Sequence, residues 1–146
     1  DMRIMSLDVG SVTIGVAVSD LFGWTAQGVE TIRHTTREAD FKRLRQLTDQ
    51  YKVEEFVIGM PLNMNGTKGV RAERTEEFAK ELAAAFPDIP YHFWDERLTT
   101  VIAQKQLIAA DVSRKKRKKV IDKMAAMVIL EGYLQHLSFQ NKGTTL

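Results

Sequence analysis

The chain has 146 residues, 44% of them hydrophobic and 27% charged, with no cysteine and a formal net charge of +2. That is the size and make-up of one globular domain able to bury a core without crosslinks. A disulfide framework, a thiolate zinc site and a cysteine nucleophile are excluded, and no apolar stretch approaches the roughly 20 residues of a membrane span.

No signal-peptide pattern precedes Met2, so a cytoplasmic protein without a membrane partner is expected. Residues 2–138 read as a single domain and 139–146 as a polar tail. Arg3 to Asp8 form an apolar strand pattern, Gly10 and Ser11 signal a turn, and Thr13 to Ser19 give a second β-rich run. The chain therefore opens with a hairpin. A third strand is predicted over Thr25 to Ile32, after a turn at Gly23. The stretch TTRE, Thr35 to Glu38, has capping-box spacing, and Phe41, Leu44, Leu47 and Tyr51 recur behind it at helical intervals. Glu54 to Met60 then make a short strand of the apolar kind buried in parallel sheets. The loop PLNMNGTKG, Pro61 to Gly69, leads into a helix with Phe78, Leu82 and Phe86 on one face, broken by PDIP. Tyr91 to Trp94 form a strand by aromatic content, ending at Asp95 and Glu96, and helices over about Thr99 to Ala110 and Lys116 to Leu137 close the order. The later strands alternate with helices and must pair in parallel through crossovers, so the fold class is α/β with a hairpin start.

Sites in open α/β sheets gather beyond the carboxyl ends of the strands. Asp8 ends the first strand and Glu96 follows the last, so both fall at that edge. If the first and fourth strands are neighbours, the two carboxylates converge. Asp122 heads a helical face on which Ala125, Ala126 and Ile129 mark burial, and an acid there needs a partner. Each acid also has an ordinary structural account: a turn at Asp8 beside Gly10, an ion pair between Glu96 and Arg97, and a favourable helix dipole at Asp122. Their joint placement favours a site. Three convergent carboxylates repel one another and raise their own pKa values unless a cation neutralises them, and the oxygen-preferring candidates are Mg²⁺ and Mn²⁺. Two such ions about 3.5–4 Å apart support hydrolysis of a phosphodiester.

Charge is unevenly spread. SRKKRKK, Ser113 to Lys119, packs six cations into seven positions and suits a polyanion, although such a run also serves as a solvated surface. Lys116 and Arg117 lie at its centre. In PLNMNGTKG, backbone N–H groups and Lys68 are expected to hold a phosphate, against the simpler reading of a turn-forming loop. The aromatics of YHFW alternate along a strand and read as core, His92 reads as structural, and His34 and His136 show no ligand partners.

Four motifs, LDVGSVTIGVAVSD (Leu7 to Asp20), VIGMPLNMNGTKG (Val57 to Gly69), DERLTT (Asp95 to Thr100) and DVSRKKRKKVIDKMAA (Asp111 to Ala126), stand in an order that closely resembles the YqgF family. Members are described as candidate pre-16S ribosomal RNA nucleases, Holliday junction resolvase-like, with a ribonuclease H-like fold. The resemblance runs from Met2 to about Leu137. It implies a mixed five-stranded sheet in the order 3-2-1-4-5, with the family's acids at Asp8, Glu96 and Asp122. It also implies a loop after the fourth strand containing Gly59, Pro61, Asn63 and Gly66, and a cleft flanked by Arg97, Thr99, Thr100, Ser113 and Arg114. This chain departs from the family pattern at Val12 and Thr13, where many members carry Lys or Arg, and at Val70, where Pro is frequent.

The implied activity is a Mg²⁺- or Mn²⁺-dependent endonuclease acting on structured nucleic acid, at the 5′ end of precursor 16S rRNA in ribosome biogenesis. Resolution of four-way DNA junctions is the alternative; it favours a homodimer over a monomer, because two strands must be cut. A non-catalytic nucleic-acid-binding factor in transcription or ribosome assembly is disfavoured by the intact acid trio. An actin-like or sugar-kinase-like ATPase, suggested by DVGSVTIG, duplicates this fold, whereas a single copy is found here.

Overall fold

The computed structural model describes residues 3–97, 113 and 124–138. Strands β1 (Arg3–Val9), β2 (Thr13–Ser19) and β3 (Ala26–Arg33) are followed by helix α1 (Arg37–Tyr51), strand β4 (Val53–Met60), helix α2 (Val70–Ala85) and strand β5 (Tyr91–Asp95). Residues 124–138 form a further helix, α3. The five strands make one sheet in the order β3-β2-β1-β4-β5, antiparallel within the β1–β2–β3 meander and parallel for β1–β4 and β4–β5. This is the order that the family resemblance implied. The helix expected over Thr99 to Ala110 and the opening turns of the one expected from Lys116 lie outside the described residues.

Alternation along the strands divides the core between the two faces of the sheet. Met5 and Leu7 of β1, with Phe56 and Ile58 of β4, face α1 and α2 and meet Leu44, Leu47, Phe78 and Leu82. Ile4 of β1 and Val57 of β4 face α3 and meet Ala126, Ile129, Leu130 and Tyr133. Asp8 shares the parity of Ile4 and so stands on the α3 face.

Two polar contacts tie α3 down. Buried Ser6 donates from Oγ to Ala126 O at 2.5 Å, and the Tyr133 hydroxyl donates to Glu55 Oε1 at 2.7 Å. Burial, then the bond to Glu55, pushes the Tyr133 phenol up. Glycines give α3 its close approach: a Cβ at Gly28 would stand 3.0 Å from Met127 Sδ, and one at Gly132 would meet the Trp94 ring at 3.0 Å.

Local signals hold with small shifts. The cap of α1 is Thr36, whose Oγ1 accepts from Ala39 N at 3.0 Å, one residue later than the TTRE spacing suggested. Asp20 closes the β2–β3 turn by accepting from Trp24 N and Thr25 N, and Gly23 there has φ +73°. The YHFW aromatics divide: Trp94 packs on α3 and Tyr91 on the α1/α2 core, while Phe93 is 39% exposed.

Phe78, fully buried and edge-on to Phe41 at 5.5 Å, is a keystone of the α1/α2 core. Phe78→Ala is expected to cost about 3–5 kcal/mol of stability, read as a lowered midpoint in urea unfolding followed by circular dichroism.

Candidate active site at the carboxyl edge of the sheet

β1, β4 and β5 end side by side at one edge of the sheet, with β4 in the middle. Asp8 stands near the end of β1, and Glu96 is the first residue after β5, where its N–H donates to Met60 O at 3.0 Å and continues the β4–β5 pairing. Between them lies Gly59. A Cβ at Gly59 would sit 2.6 Å from Glu96 Cδ and 2.6 Å from Ile129 Cδ1, so the Glu96 side chain occupies the space that any other residue there would fill. Glu96 thereby reaches across β4 towards Asp8. Gly59 belongs to strand β4 and not to the loop after it, which corrects the placement implied by the family resemblance; at a strand end a glycine reads as a turn former, but here its absent side chain makes room for an acid.

Asp8 Oδ1 and Glu96 Oε2 are wholly buried without a hydrogen-bond partner among the described residues. Two ionised carboxylates are acceptors only and cannot satisfy each other; a shared proton or a cation can. Burial foremost, then the charge of Asp8 and a shared hydrogen bond with it, pushes Glu96 up to about 9. Asp95 adds to that rise, and Arg71, in the first turn of α2, opposes it.

Arg97 does not pair with Glu96. It folds onto Asp95, with N to Oδ1 at 2.9 Å, Nε to Oδ2 at 2.8 Å and Nη2 to Oδ2 at 2.7 Å, and this pairing holds the Asp95 carboxyl below the usual range. Glu96 is left free for Asp8.

The loop before α2 is internally tied. Asn63 N donates to Thr67 O and its Nδ2 to Thr67 Oγ1, while Gly66, at φ +86°, donates to Asn63 O. A Cβ at Gly66 would lie 3.4 Å from Arg97 Nη1, so the loop sits beside the Asp95–Arg97 pair. Lys68 Nζ is engaged by Glu76 Oε1 at 2.9 Å, a partner that the loop's own sequence does not reveal.

The structure thus brings together Asp8 and Glu96, with Gly66 and Arg97 close by. Ser113 is exposed. Asp122, Thr99, Thr100, Arg114, Lys116 and Arg117 lie outside the described residues, and among the described residues no group of three or more His, Cys, Asp or Glu is placed to hold a metal ion. Sequence reasoning missed the parts played by Gly59, Arg71 and Asp95. Of these, Asp95 carried a signal, since an acid two positions before an arginine at a strand end is well placed to capture it.

A five-stranded mixed sheet in this order, with carboxylates converging at the carboxyl edge of its central strands, has the ribonuclease H-like architecture. Solved structures share it: Thermus thermophilus RuvC in complex with a Holliday junction substrate has a TM-score of 0.60 at 14% identity over 99% of this chain and 98% of that one. The fowlpox virus Holliday junction resolvase has a TM-score of 0.51 at 15% identity over 92% and 99%. The chain belongs to the RuvX family, described as Holliday junction resolvase, whose model matches residues 2–136. It is 59% identical over 133 residues to a candidate pre-16S rRNA nuclease of Desulforamulus reducens, covering 91% of this chain and 96% of that one. It is 55% identical over 139 residues to the Bacillus subtilis relative of the same description, covering 94% and 100%. The family is one of nucleases.

The raised pKa of Glu96 fixes the sign of a pH effect. Folded Glu96 binds its proton more tightly than the unfolded chain does, so the metal-free protein has its full stability below the ordinary carboxylate range and loses it as pH rises towards about 9. Thermal melting in EDTA should show Tm falling from pH 5 to pH 9, and Glu96→Gln should flatten that slope.

Proposed function

We propose that this chain is a divalent-metal-dependent endonuclease that hydrolyses phosphodiester bonds of structured nucleic acid, and that its substrate is the 5′ end of precursor 16S rRNA in ribosome biogenesis. The observation that carries the reading is the pair of buried carboxylate oxygens on Asp8 and Glu96 that lack any donor among the described residues. Hard oxygen donors, mutual repulsion and burial fit Mg²⁺ or Mn²⁺, and Asp122 is the third acid that the family motif supplies. When bound, such a cation supplies positive charge against the phosphate and activates water for attack.

The chain's own residues do the rest. Glu96 holds a proton against Asp8 in the free protein, and the two carboxylates are the residues that would hold the cation. Asp95 restrains Arg97 and keeps it from neutralising Glu96. The loop of Asn63, Gly66 and Lys68, together with Arg97, Thr99, Ser113 and the basic run of Arg114, Lys116 and Arg117, is read as gripping the backbone on either side. Support for RNA as substrate comes from relatives above 50% identity described as candidate pre-16S rRNA nucleases. The family description favours a second reading, cleavage of four-way DNA junctions by a dimer.

One assay separates these: purified chain with Mg²⁺ or Mn²⁺, offered precursor rRNA and junction DNA in parallel. Cleavage of the rRNA is expected, and Asp8→Asn should abolish it while RNA binding stays within a few-fold of wild type. Unchanged cleavage by Asp8→Asn would exclude the mechanism. Replacing Lys115, Lys116, Arg117 and Lys118 with Ala should weaken binding and flatten its dependence on salt, by up to about one slope unit for each phosphate no longer neutralised, in a fluorescence-anisotropy titration across KCl concentrations.

A further inference from the structure

Asp8 has a mechanical problem. The β1–β4 register ends at Leu7↔Ile58, whereas the β1–β2 register continues through Asp8↔Gly15 and Val9↔Ile14. The acid therefore sits on a strand end supported from one side only, and its aim depends on the turn that joins β1 to β2.

That turn is clamped from outside. His34, just past β3, directs Nε2 to Gly10 O at 2.8 Å and Nδ1 to Asp40 Oδ2 at 2.7 Å, and its backbone N–H donates to Val12 O at 2.9 Å. Gly10 O can only accept, so Nε2 donates to it, while Nδ1 meets the Asp40 carboxyl on the other side of the ring. Asp40 is 3% exposed, in the first turn of α1, where the helix dipole favours a carboxylate and Thr35 N lies 3.4 Å from its other oxygen. The linkage runs from the α1 N-terminus through Asp40 and His34 to the backbone two residues beyond Asp8.

His34 lines an open cavity of about 540 Å³ on the α1/α2 side, together with Ser11, Arg37, Arg74 and Glu77. Asp8 faces α3, on the other side of the sheet. His34 is thus separated from the acid pair by β1 itself.

We infer that His34, held by Asp40, is a positioning residue that fixes the β1–β2 turn and through it the aim of the Asp8 carboxylate. The inference rests on the metal-centre reading and deepens it. The family motifs that mark the acids do not include this linkage; it joins three segments far apart in the chain.

The test uses the full chain, with Mn²⁺ alone as the probe. Mn²⁺ affinity by calorimetry and amide hydrogen exchange by NMR are measured for wild type, Asp8→Asn, His34→Ala and His34→Gln, the last keeping an amide N–H for Gly10 O. His34→Ala is expected to weaken Mn²⁺ binding about ten-fold, in the range that supporting residues contribute at metal sites, with His34→Gln recovering part of the loss. Exchange at the Gly10 amide, which donates to Thr13 O, should rise about ten-fold or more, while the Phe56 amide at the far edge, bonded to Pro90 O, keeps its rate. If His34→Ala does not fold, His34→Gln carries both readouts, with smaller changes in the same direction. Unchanged Gly10 exchange overturns the clamp. Faster Gly10 exchange with Mn²⁺ affinity equal to wild type overturns the positioning role and leaves a purely structural contact. A wild type that binds Mn²⁺ no better than Asp8→Asn overturns the metal reading itself, a result distinct from wild type and His34→Ala binding equally well.

Discussion

Glu96 reaches Asp8 only because Gly59 has no side chain, and the result is two carboxylates in a space that excludes water from one oxygen of each. Like charges in such a place are costly unless something positive joins them. The free protein supplies a proton, which is the meaning of the raised Glu96 pKa. The surrounding structure maintains this tension: the sheet order sets the two acids on either side of β4, Ile129 of α3 fills the same gap over Gly59, and Asp95 keeps Arg97 away.

The two faces of the sheet divide the labour. The α1/α2 face is a large apolar core, with Phe78 and Phe56 fully buried, and it provides most of the hydrophobic drive for folding. The α3 face is smaller and more specific. Its helix is located by Ser6 at one end and by Glu55 and Tyr133 at the other, so α3 is fixed along the sheet by polar contacts as well as by packing. Unmade buried polar contacts are penalised more than made ones are rewarded, which makes such contacts good at choosing one alignment over others.

The strand ends were legible because apolar runs bounded by turn residues mark where strands stop, and because α/β topology puts sites at one edge. That reasoning singled out Asp8 and Glu96, which the structure brings together. It misjudged positions whose meaning depends on residues distant in the chain. Gly59 reads as a loop glycine until Glu96 is placed over it. Lys68 reads as free until α2 brings Glu76 to it. His34 showed no partner, because Asp40 and Gly10 meet it only once β3, α1 and the β1–β2 turn are assembled. Periodicity reports which face a residue takes, but not which residues from other elements meet it there.

The cations near the acid pair complete the electrostatic picture. Lys68 is matched by Glu76 and Arg97 by Asp95, and Arg71 is the cation whose charge opposes the rise at Glu96. Two of these three cations are thus committed to other carboxylates, so the repulsion within the acid pair is only partly offset. On the proposed reading, a divalent cation held by the acids would relieve their mutual repulsion, and the basic run after Ser113 would add a longer-range attraction that salt weakens. The two proposed contributions would differ in kind: the first would depend on the ionisation of Glu96, the second on ionic strength.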